Sequence, residues 1–338
     1  PASAAALVLT AGGYWWWTDG TDEREVPGQQ ADQVLLECGT FDFPACDGED
    51  TQFDPVFTDA ATALPAAGGF GGGQCRVERT PVIFVHGNAD RAVTWDAEIT
   101  GPVEGHPQVS ESVYDTFLDA GYQPCELFGL TYLSDSEQDD PAANYHRPEK
   151  YREIIDFVDE VKEATGRDEV DIVSHSLGVS MSLAALTWHD ETLTDEDSAW
   201  GEVRRFVNIA GGLHGLGSCR ATGPANPIAK TCGAQHLYDP WVFGFHPDSA
   251  LTPNQWTGSG SDRSLRKMPG RHPEVAFYTI TAGVNDQVHC SALDHGAGCA
   301  GGSLFDEANN VRAQLDVGAG ARATDRDPDT GAAFTIAA

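Results

Sequence analysis

Positive charge is what this chain has least of. Its 338 residues carry 20 Lys and Arg against 52 Asp and Glu, a formal net charge of −32. Four of the 20 are lysines (Lys150, Lys162, Lys230 and Lys267), which leaves 16 arginines. A surface this acidic repels nucleic-acid phosphate and anionic lipid, so neither is an expected partner. A chain rich in Asp and poor in Lys points to adaptation to high salt, which screens self-repulsion. An ordinary acidic secreted protein is the alternative. Long apolar runs are also lacking. Ala4–Ala11 (AAALVLTA) is too short to span a bilayer and reads as the tail of a signal-peptide h-region, so no membrane span is expected in the mature protein. The uncharged run continues through Tyr14-Trp15-Trp16-Trp17, which leaves a membrane anchor as the other reading. No C-x-x-C pair and no H-E-x-x-H occurs, so neither a zinc ribbon nor a zincin site is expected. The chain starts at Pro1 rather than Met, and is expected to be a fragment at its N-terminus.

Eight cysteines are present: Cys38, Cys46, Cys75, Cys125, Cys219, Cys232, Cys290 and Cys299. An even number suits an oxidised, extracellular protein. Spacing suggests local bridges Cys219–Cys232 and Cys290–Cys299, with Cys38–Cys46 as a third. The 41% hydrophobic content is enough to bury the core of one large domain.

Residues 1–74 are irregular, with Asp, Gly and Pro clusters ending in Gly68-Gly69-Phe70-Gly71-Gly72-Gly73. They read as an export remnant, a variable acidic extension and a flexible linker. From Pro81 the pattern changes. Val82–Val85 is a short apolar run, as in a buried parallel strand. Further strands are expected at Leu127–Tyr132, Val170–Val173, Val203–Ile209, Val275–Thr281 and Val311–Val317. Helices are expected at Val113–Ala120, Tyr151–Ala164 and Val179–Trp188. This alternation implies a mostly parallel, doubly wound α/β sheet over residues 75–338, interrupted by a Gly-, Pro- and aromatic-rich insertion at about 212–272 on the substrate side.

Val173-Ser174-His175-Ser176-Leu177-Gly178 joins an expected strand to an expected helix. That is the setting of a nucleophile elbow, the G-x-S-x-G turn of α/β-hydrolases, with Ser174 in place of the first glycine. Ser176 is therefore the candidate nucleophile, and an ordinary turn serine is the alternative. The loop His86-Gly87-Asn88 follows the first strong strand. In such a fold it supplies one oxyanion donor, and the residue after the nucleophile supplies the other, here the backbone N–H groups of Asn88 and Leu177. His86 is given no proton-transfer role. Asp286 follows a late strand and suits the triad acid, in the chain order Ser…Asp…His. The base is the missing part. Only His289 and His295 follow Asp286, and both precede the last expected strand. His289 sits too near Asp286 in sequence, and His295 suits a surface loop.

At these residues the chain resembles the extracellular poly(3-hydroxybutyrate) depolymerases that attack native, amorphous granules, and their lipase-like relatives. The likeness runs from about Thr80 to Ala323 and rests on eight stretches. They are TPVIFVHGNAD (80–90), ELFGLTYLSDSEQ (126–138), NYHRPEKY (144–151), VDIVSHSLGVSMSLAAL (170–186), FVNIAGGLHGL (206–216), NQWTGSGS (254–261), FYTITAGVNDQV (277–288) and NVRAQLDVGAG (310–320). The resemblance implies an α/β-hydrolase fold and a secreted serine esterase that cleaves polyester without a cofactor. It implies Ser176 as nucleophile, Asp286 as acid, Asn88 and Leu177 as oxyanion donors, and Tyr145 in handling polymer. In that family the catalytic histidine lies in a Gly-Val-Gly-His segment well after the 310–320 stretch. This chain ends at Ala338 without one, so it is expected to be truncated at the C-terminus too. Arg220-Ala221 and His236-Leu237 stand where the family has Tyr pairs, although Tyr238, Trp241, Phe243 and Phe245 remain. Residues 1–74 have no counterpart.

The expected activity is hydrolysis of polyhydroxyalkanoate esters through an acyl-enzyme, by a monomer acting on a water-insoluble polyester or lipid ester. A lipase or general esterase is the alternative within the class. An inactive polymer-surface-binding protein on a hydrolase scaffold is the alternative outside it, supported by the absent histidine and the Trp15–Trp17 cluster.

Overall fold

The computed structural model describes residues 68–71, 75–96, 112–144, 146–192, 198–214, 264–283, 286 and 301–316. Among the described residues, seven strands form one sheet: β1 (Gly68–Gly71), β2 (Val82–Val85), β3 (Leu127–Thr131), β4 (Val170–His175), β5 (Val203–Ile209), β6 (Ala276–Thr281) and β7 (Val311–Asp316). Their order is β1-β3-β2-β4-β5-β6-β7. β1 runs antiparallel to β3, and every other pair is parallel. Helices α1 (Val113–Asp119), α2 (Asp135–Asp139), α3 (Pro148–Thr165), α4 (Leu177–Thr192) and α5 (Met268–Arg271) lie between the strands in sequence. This is the α/β-hydrolase fold.

β2 and β3 read as near-continuous apolar runs because both faces are covered. Ile83, Val85, Phe128, Leu130 and Ile172 pack into one core with Tyr151, Phe157 and Val158 of α3 and Val179, Met181 and Leu183 of α4. The alternate residues Val82, Phe84 and Val173 face the opposite core with Tyr114 and Phe117 of α1. The two-residue period of the strand thus divides each run between two layers. α3 begins at Pro148, whose missing N–H costs nothing at a first helical position, and ends at Gly166 in the left-handed region (φ 65°). α4 is apolar all round because it is enclosed between α3, the sheet and Trp200.

The glycine-rich stretch expected to be a linker contains strand β1. Phe70 is the reason. Its ring is wholly buried, 6.3 Å from Phe84 and 5.7 Å from Tyr114 between ring centroids. It lies so close over Gly129 of β3 that a Cβ there would overlap it. Glycine on both strands lets the backbones pair around one large side chain, so the folded body begins before Cys75. The insertion is expected at about 212–272. Residues 215–263 lie outside the described residues, but Leu265 and Met268, near its far end, are buried in the core beside α4.

Cys75 and Cys125, the two cysteines that the local pairings leave over, form a disulfide with Cα atoms 5.8 Å apart across 50 residues of sequence. It ties the approach to β2 to the turn before β3. The three local pairings fall outside the described residues.

Candidate active site

Ser176 stands between the end of β4 and the start of α4, with φ at 51°. This left-handed conformation costs a residue with a Cβ roughly 1–2 kcal/mol, so its surroundings must hold it there. Its N–H donates to the Ile209 carbonyl on β5 at 2.9 Å, and its own carbonyl accepts from the Val179 N–H at 3.2 Å. Gly178 allows the turn to close. A Cβ at that position would overlap the His86 carbonyl oxygen and come within 2.8 Å of the Val85 carbonyl oxygen. Ser174 replaces the usual first glycine without strain. It is fully buried, and its hydroxyl lies 3.2 Å from that of Ser182.

The loop after β2 passes directly against this serine. A Cβ on Gly87 would lie 3.1 Å from Ser176 Cβ and 2.8 Å from His175 Nδ1. Asn88 follows, and then Ala89 in the left-handed region (φ 59°). The Asn88 side chain donates through Nδ2 to the Pro141 carbonyl at 2.9 Å, and its Oδ1 accepts from Asn144 Nδ2 at 2.6 Å. Leu177 is the first residue of α4, so its N–H has no acceptor within the helix. Ser176, Asn88 and Leu177 thus share the C-terminal edge of the central strands.

His86 is held by packing and by hydrogen bonds at both ring nitrogens. It is buried and stacked on Tyr132, with ring centroids 4.4 Å apart. Its Nδ1 donates to the Gly87 carbonyl at 2.7 Å, and its Nε2 accepts from the Tyr132 N–H at 3.3 Å. Burial lowers its pKa to about 3, so it is neutral at ordinary pH.

Asp286 lies beyond the end of β6 and is fully buried. Its N–H donates to the Gly283 carbonyl at 3.3 Å. Gly283 has φ at 58°, and the Asp316 carboxylate at the end of β7 packs where its Cβ would be. β5 separates β4 from β6, so the strand ends that lead to Ser176 and Asp286 are about 10 Å apart. Tyr145, His289 and His295 lie outside the described residues. Among the described residues there is no cluster of His, Cys, Asp and Glu able to hold a metal, and no helix long and apolar enough to cross a membrane.

Sequence reasoning missed a polar cluster behind the 86–89 loop. Lys150, one of the four lysines, is buried. Its Nζ donates to the Tyr132 carbonyl at 2.6 Å and lies 3.0 Å from Glu137 Oε2 and 3.4 Å from Glu153 Oε2. Burial alone would raise the Glu137 carboxyl, but Lys150 and the Ser134 backbone and hydroxyl donors hold it below its usual range. Burial pushes Glu153 up to about 7. His146, also buried, spans Tyr151 (Nδ1 to hydroxyl, 2.9 Å) and Ser180 (Nε2 to Oγ, 3.0 Å), and Ser180 donates to the Leu177 carbonyl at 2.9 Å. The available signal was Lys150 and Glu153 on the apolar face of α3, where a charge must have a partner.

Residues 79–239 match the family model for lipase, class 2. The match covers just under half of the chain. The matched segment carries Asn88, Ser176 and Leu177 but not Asp286. Similar solved structures include Bacillus licheniformis lipase BlEst2 in its propeptide form (14% identity, TM-score 0.38, 64% of this chain and 38% of that one). Its mature form aligns at 17% identity and TM-score 0.36, over 63% of this chain and 71% of that one. Aspergillus fumigatus lipase B aligns at 15% identity and TM-score 0.39, over 73% and 47%. The alignments therefore span under half of the lipase B and BlEst2 propeptide-form chains. Comparison with curated protein sequences finds no match.

Proposed function

We propose that this chain is a serine carboxylic-ester hydrolase, with Ser176 as nucleophile. The observation that carries the reading is Ser176 held at φ 51° between strand and helix, with the Gly87 backbone against its Cβ. Ser176 Oγ attacks the ester carbonyl carbon while a histidine from outside the described residues takes its proton. The tetrahedral oxyanion receives hydrogen bonds from the Asn88 and Leu177 N–H groups, each contributing about 10²–10³-fold in turnover. Collapse expels the alcohol, which leaves with the proton, and the acyl-enzyme remains. Water then repeats the two steps and frees the acid. Asp286 orients the imidazole and stabilises its cation. The chemistry needs neither metal nor cofactor. His289 and His295 are this chain's candidates for the base.

For substrate, we infer a short-chain polyester of the polyhydroxybutyrate type, on the strength of the eight sequence stretches, and Tyr145 as a polymer-contacting residue. The lipase family match over residues 79–239 favours a second reading, a lipid ester. Secretion is inferred from the Cys75–Cys125 disulfide, a bond that persists in oxidising compartments. The test compares rates on amorphous polyhydroxybutyrate and on a triacylglycerol emulsion, with Ser176→Ala as blank. Faster Ser176-dependent release of hydroxybutyrate supports the polyester reading. Faster fatty-acid release replaces it with the lipase reading.

A further inference from the structure

We propose that Asn144 is a positioning residue for the oxyanion hole, acting through the side chain of Asn88. The inference rests on the ester-hydrolase reading and adds a residue to it. Asn144 is almost wholly buried at the end of the short 3-10 turn Pro141–Ala143. Both hydrogens of its amide are committed. One goes to Asn88 Oδ1 at 2.6 Å, and the other to the Glu137 carbonyl at 2.7 Å. Asn88 in turn gives its own Nδ2 to the Pro141 carbonyl at 2.9 Å. The side chain of Asn88 is therefore gripped at both ends by the Pro141–Asn144 segment, 53 and 56 residues away in sequence.

The loop that bears the Asn88 N–H needs such a grip. It has glycine at position 87 and a left-handed alanine at position 89, so its local sequence does not favour one conformation. The platform under Asn144 is stiff. The Glu137 carboxylate accepts from the Ser134 N–H and hydroxyl, both at 2.9 Å, and pairs with Arg147 at 2.5 Å and Lys150 at 3.0 Å. Lys150 is pinned in turn to the Tyr132 carbonyl. An oxyanion donor must be aimed before charge develops, and an error of about 1 Å can cost about a hundredfold in rate. Asn144 connects this rigid platform to the donor loop through one short bond.

The test uses the full chain, a 4-nitrophenyl short-chain ester, and phenylboronic acid as a tetrahedral-adduct mimic. Asn144→Ala is expected to lower kcat by about tenfold or more, leave KM within about twofold, and weaken phenylboronate by about the same factor as kcat/KM. The isosteric Asn144→Asp is expected to lose as much, because it turns an acceptor toward Asn88 Oδ1. In the double variant Asn88→Ala/Asn144→Ala the loss should be no larger than the greater single loss, since Asn144 acts through the Asn88 side chain. A purely structural Asn144 would lower Tm and add its effect to that of Asn88→Ala, and that result overturns the proposal. If Asn144→Ala does not fold, Asn88→Ala cuts the same bond from the more exposed side, and unchanged kcat there also overturns it. Turnover that persists in Ser176→Ala would instead remove the ester-hydrolase reading beneath it.

Discussion

Substituting Gly178 by alanine tests the geometry of the elbow. The new Cβ would overlap the His86 carbonyl oxygen and come within 2.8 Å of the Val85 carbonyl oxygen and 3.1 Å of Val85 Cγ1. An ordinary carbon–oxygen contact is about 3.4 Å, so α4 and the end of β2 must separate by about 1 Å. The obstacles are mainly backbone atoms, which cannot rotate away. Two stability effects oppose each other. Alanine gains about 1 kcal/mol over glycine within a helix, and overpacking costs about 1–3 kcal/mol. The net change is a loss of about 1 kcal/mol. With Asn88 as the proposed oxyanion donor, the effect on activity is larger, because His86 begins the loop that carries its N–H, and a shift of about 1 Å there costs about a hundredfold in kcat. The assay pairs kcat on a chromogenic ester with thermal melting, both in molar salt. Gly270→Ala is the control, since a Cβ there meets nothing within 4 Å. Wild-type kcat and Tm in Gly178→Ala would refute the reasoning.

Phe70→Ala should destabilise the fold by about 3–5 kcal/mol, because it empties the space over Gly129. A denaturation midpoint equal to wild type would return residues 68–71 to a linker. Reducing Cys75–Cys125 should cost up to about 4 kcal/mol from the 50-residue separation it closes, read as a drop in urea midpoint on adding a strong reductant. An unchanged midpoint would deny the bond a role in stability. Burial lowers both His86 and His146 to about 3, below the unfolded value of 6.5. Between those values the unfolded chain binds more protons, so stability falls as pH drops from about 6.5 toward 3. Glu153, raised to about 7 by burial, works the other way and favours the fold as pH falls from 7 to 4.5. Thermal melts of His146→Gln should therefore show a shallower acid limb than wild type, and an identical limb would contradict the assignment.

The strands were legible where burial on both faces left an uninterrupted apolar run, as in Val82–Val85. The elbow was legible for a similar local reason, since an apolar strand, a small-residue turn and an apolar helix occur within about 20 residues. Boundaries slipped where polar residues are buried. β4 extends through Ser174 and His175, and α4 begins at Leu177 rather than Val179. β1 was hidden because glycine reads as freedom, whereas here it makes room for Phe70. The cluster behind the 86–89 loop was hidden for another reason. Asn88 and Asn144 meet across 56 residues, and no pattern of period two or 3.6 encodes a bond between two asparagines. Lys150 and Glu153 lie one turn apart on α3, but the second partner of Lys150, Glu137, lies on a separate helix.

The central claim is that Ser176 is the nucleophile of an ester hydrolase. The most direct test measures release of 4-nitrophenol from 4-nitrophenyl butyrate in molar salt, by the wild-type chain and by Ser176→Ala, with folding checked by circular dichroism. Turnover by wild type is expected, with a loss of at least about 10⁴-fold in Ser176→Ala. Equal turnover by the two folded proteins would contradict it.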